Sequence, residues 1–451
     1  MPNRTSFIST YLNILQLNTS DQGGGAERFA LQLHRAFRSQ YPNATLLVGE
    51  RKTNTAGVVS LFSGKKPPLA PHFRSWVMRQ LPPSNWQQSA GQWAYRFGEW
   101  LEYNRTHQIA QGLEDFNFPS VEQAIQKSQL HPHIIQIHNL HGAWIDFRSL
   151  PSASQRYPIS LTLHDQWLLT GHCAYSLDCQ RWLAGCGMCP YLQSYPTIAK
   201  DASAQNFTSK RAVLAKARLN LVSPSRWLAD CVVRAGIPYQ RLRVIPNGID
   251  LQLFFPLEKA KARLQVGLPQ DKKLLLILPK RSASSSYYDS ERTRQILQAL
   301  VQQLPPENDL LCVFLGGSAD IPTYPTLQTL HIPFQTDPTQ VVACFQSADL
   351  FLHTPKSDNF PTTILESLAC GTPVVASNVG GIPEQIENRV NGLLLPPAAE
   401  LAAAEILQLL RDEPRLRGWS ANAALHAKKN FDFAHMLQRY LDWYLELLQT
   451  P

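Results

Sequence analysis

Two acidic residues, Asp358 and Glu366, lie eight positions apart in a segment that could bind hydroxyl groups and an anion together. A buried strand ends shortly before Asp358, and open parallel sheets bind ligands at that edge. Pro361 suits the first position of the next helix, where its missing N–H costs nothing. The amides of Thr362 and Thr363 then face an anion. A phosphate between two carboxylates that bind polyols describes a nucleotide sugar, whereas the alternative is a helix with ordinary first-turn acids.

This block resembles glycosyltransferase family 4, the retaining, nucleotide-sugar-dependent transferases of the GT-B fold. Members carry two acids separated by seven residues, then a small-residue helix and a Gly-x-Pro-Val-Val strand; here Asp358 replaces the more usual Glu. Further family motifs follow one another in order at residues 23–27, 223–225, 246–250, 380–384 and 391–394. The resemblance covers nearly the whole chain and leaves out about residues 50–125.

The resemblance implies a role for particular residues. Glu366 would bind the donor ribose, and Asp358, as a catalytic residue, the hydroxyls of the transferred sugar. Thr362 and Thr363 would bind the donor through their amides. The amides of Gly24 and Gly25 would approach the diphosphate closely, because no Cβ stands in the way.

His138 matches a family histidine near the reacting sugar and would be catalytic, although without the resemblance it reads as a satisfied strand-end residue. Retention in this family is attributed to front-face attack, in which the departing diphosphate helps to deprotonate the acceptor. Positioning and charge stabilisation then do most of the work, and no catalytic metal or other cofactor is expected. We therefore expect a hexosyl group to pass from a nucleotide diphosphate sugar to a glycan or lipid-linked acceptor in polysaccharide biosynthesis.

One basic loop departs from the family pattern. Members place an Arg, and some ten residues later a Lys, after the first strand of the second domain, where they neutralise the leaving diphosphate. Here residues 278–292 lack the Gly-Arg pair. Lys280 or Arg281 together with Arg292 could supply this charge from shifted positions. Otherwise the loop contacts no phosphate, and the chain is a catalytically silent GT-B protein that binds nucleotide sugar or glycan as a regulatory or scaffold partner.

A cysteine-rich segment follows His164 and Asp165 and resembles a subgroup of the family associated with bacterial exopolysaccharide assembly. His164 and Asp165 end a predicted strand and are candidate acceptor-side residues, or plain strand-end polar groups. Four cysteines crowd into 17 residues, at Cys173, Cys179, Cys186 and Cys189. Thiolates in a short loop suit a structural zinc, with His172 able to replace one of them. The alternatives are free or redox-active thiols, and two disulfides, which a reducing cytosol disfavours.

Strands alternate with helices along most of the chain, which predicts an α/β protein. Predicted strands lie at residues 13–18, 45–48, 134–137, 159–163, 219–222, 274–278, 311–315, 349–353 and 373–376. The economical architecture is GT-B: two Rossmann-like, doubly wound parallel-sheet domains that face a central cleft. Residues 1–245 would form the acceptor-side domain and residues 246–432 the nucleotide-sugar domain, while 433–451 would form a helix that packs back on the N-terminal domain.

Residues 52–115 interrupt the alternation. Trp86, Trp93 and Trp100 recur every seven residues, and basic side chains lie close by. Such a helical face could rest on an anionic membrane or receive an acceptor. The alternative is an ordinary helix pair with its tryptophans in the core.

Charge and hydropathy narrow the function classes. Residues 1–300 carry 34 basic and 18 acidic side chains, whereas 301–451 carry 8 and 16, so the first part attracts anions or presents a solvated basic face. No apolar run approaches the roughly 20 residues of a membrane span, and residues 1–20 lack the apolar stretch of an export signal. We expect a cytoplasmic protein, with peripheral contact at the inner face of the membrane as an option. No nucleic-acid-binding signature is present, so no nucleic acid partner is expected.

Overall fold

The computed structural model describes residues 12–62, 86–279, 289–316 and 324–449, with only the backbone for part of 86–101. Strands and helices alternate through these residues, as the sequence predicts. Within the described ranges, no helix combines the length and the apolar character that a membrane crossing requires.

The first sheet has seven strands in the order β3-β2-β1-β4-β5-β6-β7. Its strands are β1 (Ile14–Ser20), β2 (Thr45–Glu50), β3 (Val58–Ser60), β4 (Ile134–Ile137), β5 (Ile159–Thr162), β6 (Leu219–Ser223) and β7 (Arg241–Val244). The helices of this part of the chain are α1 (Gly25–Gln40), α2 (Trp86–Ala110), α3 (Val121–Ser128), α4 (Leu150–Arg156), α5 (Ser203–Leu214) and α6 (Arg226–Ala235). Strand β1 pairs in parallel with both β2 and β4.

The second sheet has six strands in the order β10-β9-β8-β11-β12-β13. Its strands are β8 (Lys273–Ile277), β9 (Leu310–Leu315), β10 (Gln328–Ile332), β11 (Leu350–His353), β12 (Val374–Ser377) and β13 (Gly392–Leu395). The helices are α7 (Lys259–Gln265), α8 (Ser290–Gln303), α9 (Pro338–Ser347), α10 (Thr362–Ala369), α11 (Ala399–Arg411), α12 (Glu413–Asn430) and α13 (Phe433–Gln449). Strand β8 pairs in parallel with β9 and β11.

Both sheets therefore contain the doubly wound order 3-2-1-4-5-6, and the predicted fold class of two Rossmann-like parallel-sheet domains is confirmed. In this order the chain reverses direction across the sheet between the first and fourth strands. That switch point lies between β1 and β4 in the first sheet, and between β8 and β11 in the second. Loops after these four strands are the places where ligands bind in such sheets.

Burial on both faces explains why the central strands read as apolar runs. In β8, Leu274 and Leu276 enter one core cluster of the second domain, while Leu275 and Ile277 enter another. Successive side chains of a strand point to opposite faces, so one short strand contributes to two cores. Each fully buried leucine contributes about 2 kcal/mol, which fixes the frame on which the loops are mounted.

The predicted strands are all present within about two residues, but the sequence pattern misses β3, β7, β10 and β13 as strands. These four are the edge strands of the two sheets. Incomplete burial weakens the apolar pattern of two of them: β10 is largely exposed, and all four residues of β7 are half-buried. Strand β13 is mostly buried and is recognised only as part of the motif at 391–394.

Helix α2 lies inside the interruption at residues 52–115, and its tryptophans are not core residues where they are described. Trp93 is 62% exposed and Trp100 is 57% exposed. Phe97 stacks between them, with ring centroids 5.3 Å from Trp93 and 5.5 Å from Trp100. The interpretation that the tryptophans pack in the core is wrong for these two, because both side chains are more than half exposed among the described residues. The side chain of Trp86 lies outside the described residues.

The chain divides into two compact units. Unit 1 comprises residues 1–162, 166–221 and 234–241, and unit 2 comprises 163–165, 222–233 and 242–451. Within unit 2, the Arg243 guanidinium lies over the Trp443 ring, 4.8 Å from its centroid, and pairs with Glu446. Arg243 belongs to strand β7 of the first sheet and to unit 2, so helix α13 contacts strand β7. The predicted domain limits, and the predicted packing of 433–451 on the N-terminal domain, stay predictions.

Candidate functional site

The acidic pair lies where the sequence predicts, at the carboxyl edge of the second sheet. Asp358 is in the loop after β11, with a side chain that is 19% exposed. Helix α10 begins at Thr362, and Pro361 is its N-cap rather than its first residue, so the helix starts one position later than predicted. No side chain caps this helix start. Glu366 is buried one turn further in.

Two glycines fix the backbone of the Asp358 loop. A Cβ on Gly380 would lie 1.9 Å from the carbonyl oxygen of Asp358, and one on Gly381 would lie 1.9 Å from the carbonyl oxygen of Asn359. Gly380 also has a φ of +58°, and the Gly381 N–H donates to the Asp358 carbonyl over 3.1 Å. Only glycine allows this close approach. The Gly-Gly motif therefore positions the acidic loop.

Asn359, which is buried, ties that loop to two distant segments of unit 2. Its Nδ2 donates to the carbonyl oxygen of His164 over 3.2 Å, and the Ser225 hydroxyl donates to its Oδ1. His164 and Asp165 are both half-buried and belong to unit 2. The structure thus brings the predicted acceptor-side residues beside the Asp358 loop, across almost 200 residues of sequence.

Glu384, the last residue of the 380–384 motif, caps helix α6. Its two carboxylate oxygens accept the backbone N–H groups of Arg226 and Trp227, each over 2.8 Å. The Ser225 hydroxyl accepts the Leu228 N–H over 3.1 Å. Carboxylates at a helix N-terminus are stabilising because they meet unpaired donors and the positive end of the dipole. Two of the sequence motifs therefore act on each other, and their role here is positioning.

Two buried polar atoms beside Asp358 have no hydrogen-bond partner among the described residues: Nε2 of His353 and Oγ1 of Thr363. His353 ends β11, and its Nε2 lies 3.8 Å from Asp358 Oδ2, beyond hydrogen-bond distance. Buried polar groups left without partners cost about 1–3 kcal/mol each. Such groups mark a place where a bound molecule supplies the missing bonds. The sequence analysis missed His353, although its signal was present as a polar residue ending an apolar strand.

The predicted basic residues are only partly described. Lys280 and Arg281 lie outside the described residues. Arg292 is half-buried at the start of α8, and its guanidinium donates to the carbonyl oxygens of Pro396 and Pro397. At least two of its five donors are thus held by protein in this structure. Its role in binding phosphate stays a prediction.

The first switch point carries Gly24 and Gly25, after β1. Gly24 is the N-cap of α1 and Gly25 its first residue, both are exposed, and no side chain caps the helix. A Cβ on Gly25 would meet nothing within 4 Å. The fold itself therefore does not require glycine at position 25, and the open helix start keeps the geometry that an anion needs.

His138 follows β4 at the same switch point and is 2% exposed. Its Nε2 lies 3.1 Å from Oε1 of Gln16, and its ring meets Phe29 edge-on at 5.7 Å between centroids. The described contacts match the satisfied strand-end residue, and a catalytic role stays a prediction.

The four clustered cysteines are all free thiols and line one small cavity in unit 1, so the disulfide alternative is not adopted. Burial raises the pKa of the Cys173 thiol to about 12. Burial also raises the pKa of Cys186 and of Cys189, and neighbouring thiols add to each rise. In this arrangement, no group of three or more His, Cys, Asp or Glu side chains among the described residues converges on a point that could hold a metal ion.

A buried ion pair lies beside the cysteines and was not visible in the sequence. The Lys210 ammonium donates to Glu114 Oε1 over 3.2 Å and to the Trp167 carbonyl over 2.8 Å, and lies 3.9 Å from the Trp167 ring centroid. Burial lowers the pKa of Lys210 and raises that of Glu114. The partners are 96 residues apart, so no local pattern could have revealed them.

Comparison with known proteins finds two family models along this chain. The family described as Glycosyltransferase Family 4 matches residues 110–253, and the family described as Glycosyl transferases group 1 matches residues 293–426. The chain is 23% identical over 340 residues to WcaC of Escherichia coli (strain K12), which is named as a colanic acid biosynthesis glycosyl transferase. That match covers 70% of this chain and 77% of WcaC. The chain spans about half the length of the D-inositol 3-phosphate glycosyltransferases that it also matches.

Solved structures share the fold. Sucrose-phosphate synthase from Thermosynechococcus elongatus superposes with a TM-score of 0.63 at 17% identity, covering 97% of this chain and 100% of that one. HepE from Anabaena, solved in complex with UDP and glucose, gives a TM-score of 0.59 at 18% identity, covering 96% and 99%. The two-sheet architecture is that of the GT-B fold.

Proposed function

We propose that this chain, which matches the Glycosyltransferase Family 4 model over residues 110–253 and the Glycosyl transferases group 1 model over residues 293–426, transfers a hexosyl group from a nucleotide diphosphate sugar with retention of configuration. One observation carries the proposal. The start of α10, whose N-cap residue Pro361 makes no side-chain capping hydrogen bond, lies between Asp358 and Glu366 in the chain, and buried polar atoms of His353 and Thr363 have no hydrogen-bond partner among the described residues. A sugar diphosphate supplies the anion and hydroxyls that this arrangement lacks.

In the proposed complex, Glu366 accepts hydrogen bonds from the ribose and Asp358 from the transferred sugar. The amides of Thr362 and Thr363 face the diphosphate, where the positive end of the helix stabilises developing negative charge. HepE binds UDP and glucose on the same fold, which supports a nucleotide sugar as the donor class.

The acceptor is proposed to be a glycan or a lipid-linked sugar of a bacterial polysaccharide. Support comes from the likeness to WcaC, a protein named for colanic acid biosynthesis. Within unit 2, His164 and Asp165 lie beside the Asp358 loop, so a hydroxyl held by them would be close to the sugar that Asp358 binds. For unit 1 by itself, we propose a catalytic role for His138 and donor binding by Gly24 and Gly25.

A catalytically silent sugar-nucleotide-binding protein is the second candidate. The contact of Arg292 with two proline carbonyls favours it, because a guanidinium held in this way has fewer donors left for a leaving diphosphate. In that case the chain would bind the donor without turning it over.

We also propose peripheral contact with an anionic membrane through α2. Trp93, Trp100 and Tyr103 are each more than half exposed on this helix. Residues 51–100 carry seven basic side chains and a single acidic one, a composition that favours an anionic surface.

The deciding experiment is a thermal-shift screen of the full chain against a panel of nucleotide diphosphate sugars, followed by an assay for released nucleoside diphosphate. A donor at about 100 times its Kd should stabilise the protein by about 2.7 kcal/mol. Transfer should fall about 100- to 1000-fold in Asp358→Ala and persist in Glu400→Ala, a matched control whose acid is exposed on α11 of the same unit.

The anomeric proton coupling of the product then tests retention: an inverted product would contradict that part of the proposal. Donor binding with no turnover in the presence of acceptor extracts would favour the silent candidate. A screen in which no nucleotide sugar shifts the melting temperature would contradict both.

A further inference from the structure

A cavity of about 20 Å³ in unit 1 is lined by all four clustered cysteines. This volume holds a single water-sized occupant. The lining also includes His172, Trp182 and Tyr191. Four thiols around a space for one atom are unusual for packing alone, because a small apolar gap is normally closed by larger side chains.

The backbone of the loop brings two of these thiols to the same side. Between Cys186 and Cys189, Gly187 has a φ of +142° and Met188 a φ of +45°. Met188 is also 83% exposed, so no apolar contact accounts for its left-handed conformation. A non-glycine residue in this region costs of order 1 kcal/mol and persists only where other contacts hold it. Contacts other than apolar packing of Met188 therefore hold the Cys-x-x-Cys turn in this conformation.

Hydrogen-bond donors are directed at the sulfur atoms. The Gly171 N–H donates to Cys186 Sγ over 3.1 Å, and the Tyr191 N–H donates to Cys189. His172 Nε2 lies 3.3 Å from Cys189 Sγ, and its Nδ1 lies 2.8 Å from the Pro196 carbonyl oxygen, which orients the ring. Groups that donate to sulfur and orient a nearby imidazole are the surroundings that metal-bound thiolates need.

A buried cation balances negative charge at the same place. Lys210 is 1% exposed, and its ammonium interacts electrostatically with Cys173 and Cys186 as well as with Glu114. A lysine is almost never fully buried unless a charge partner is present.

We propose that Cys173, Cys179, Cys186 and Cys189 together bind one Zn²⁺ ion that holds residues 170–203 in place. Each thiol loses its proton to solvent as it binds, so one Zn²⁺ and four thiols give a site of net charge −2 and four protons. The thiol side chains must rotate about χ1 into the shared cavity, a change between ordinary rotamers. Soft thiolates in tetrahedral number select zinc over magnesium or calcium.

The test uses the full chain purified without chelator and analysed for metals by mass spectrometry. We expect about one zinc per chain that survives dialysis, and less than about a tenth of this in Cys186→Ser and Cys189→Ser. The matched control is Cys344→Ala, which removes a buried thiol from α9 far along the sequence and should keep the zinc.

A second measurement covers variants that fail to fold. In the wild-type protein, replacing zinc by cobalt should give a sulfur-to-cobalt charge-transfer absorption, and the four thiols should react with a disulfide reagent only after chelation. Zinc-free protein with the four thiols reactive from the start would overturn the proposal. So would an intact mass lowered by two or four hydrogens, which would show disulfides instead. None of these measurements depends on transferase activity.

Discussion

Each sheet has a histidine at the same topological position, and the two histidines differ in their hydrogen-bond partners. His138 follows β4, and His353 ends β11, the strands that lie immediately across the switch point from β1 and β8. In the first sheet, protein partners surround the histidine: Gln16 bonds its Nε2, and Phe29 meets its ring edge-on.

In the second sheet, Nε2 of His353 has no partner among the described residues, although the ring stacks on Phe351 at 5.7 Å between centroids. Its nearest acid, Asp358, is 3.8 Å away. His138 is thus hydrogen-bonded within the first sheet, whereas Nε2 of His353 has no hydrogen bond among the described residues. Topology gives the location of a candidate site at both sheets, and the unmet bond of His353 is a second observation that favours the loop after β11.

The largest effect should come from Asp358→Ala. If the second edge carries the transferred sugar, turnover should fall about 100- to 1000-fold, because a charged contact strengthened in the transition state is lost. Donor affinity should change far less. Steady-state rates with donor titrations by calorimetry measure both, with Glu400→Ala as the control. Equal losses of turnover and affinity would contradict the separate role given to Asp358.

Glu366→Ala should act mainly on donor binding. Loss of hydrogen bonds to a charged group costs about 1.5–3 kcal/mol, so Kd should rise about 10- to 100-fold. Calorimetric titration with the best donor of the panel gives this value directly. An unchanged Kd would show that the ribose is bound elsewhere and would undermine the assignment of the second sheet as the donor side.

The histidine pair itself can be tested by the isosteric changes His138→Phe and His353→Phe. The first leaves Gln16 without its partner and should lower the free energy of unfolding by about 1–3 kcal/mol. The second removes an unmet buried nitrogen, keeps the stacking on Phe351, and should leave that free energy nearly unchanged. Denaturant titrations of both variants decide the matter. A larger loss for His353→Phe would reverse the comparison.

The smallest effect concerns the exposed face of α2 in unit 1. Trp93→Ala and Trp100→Ala should each reduce association with anionic liposomes a few-fold and leave the melting temperature unchanged, because both side chains are already in solvent. Sedimentation with anionic vesicles measures this, and neutral vesicles serve as the control. Unchanged liposome binding by both variants would contradict the proposed membrane contact of α2.

The sequence predicted the central strands and the acidic loop because both are local: apolar runs covered on both faces, and a polar stretch at their carboxyl ends. It missed the edge strands β3, β7, β10 and β13; for β7 and β10 the reason is incomplete burial, which leaves little apolar signal. The sequence predicts Pro361 as the first residue of α10, whereas it is the N-cap. The difference is one residue, within the one or two residues by which helix ends are ordinarily uncertain.

The long-range contacts of the Asp358 loop, and the ion pair beside the cysteines, could not be predicted. Asn359 reaches His164 across 195 positions, and Lys210 reaches Glu114 across 96. Neither partner in such a pair changes the local pattern around the other. The sequence shows the two glycines at 380 and 381 as a motif, but it does not show why glycine is needed there. The need arises in the folded loops, where a Cβ would lie 1.9 Å from a carbonyl oxygen.

The cap that Glu384 provides for α6 has a practical consequence for anyone who divides this chain. A fragment starting at residue 246 would discard the amides of Arg226 and Trp227 and the hydroxyl of Ser225. Its Glu384 carboxylate would then lose the backbone N–H donors that it accepts, and Asn359 would lose the Ser225 hydroxyl next to Asp358. Shortened versions intended for ligand screening should therefore retain the stretch from 222 to 233, grafted or co-expressed, or they will report the behaviour of a loosened loop.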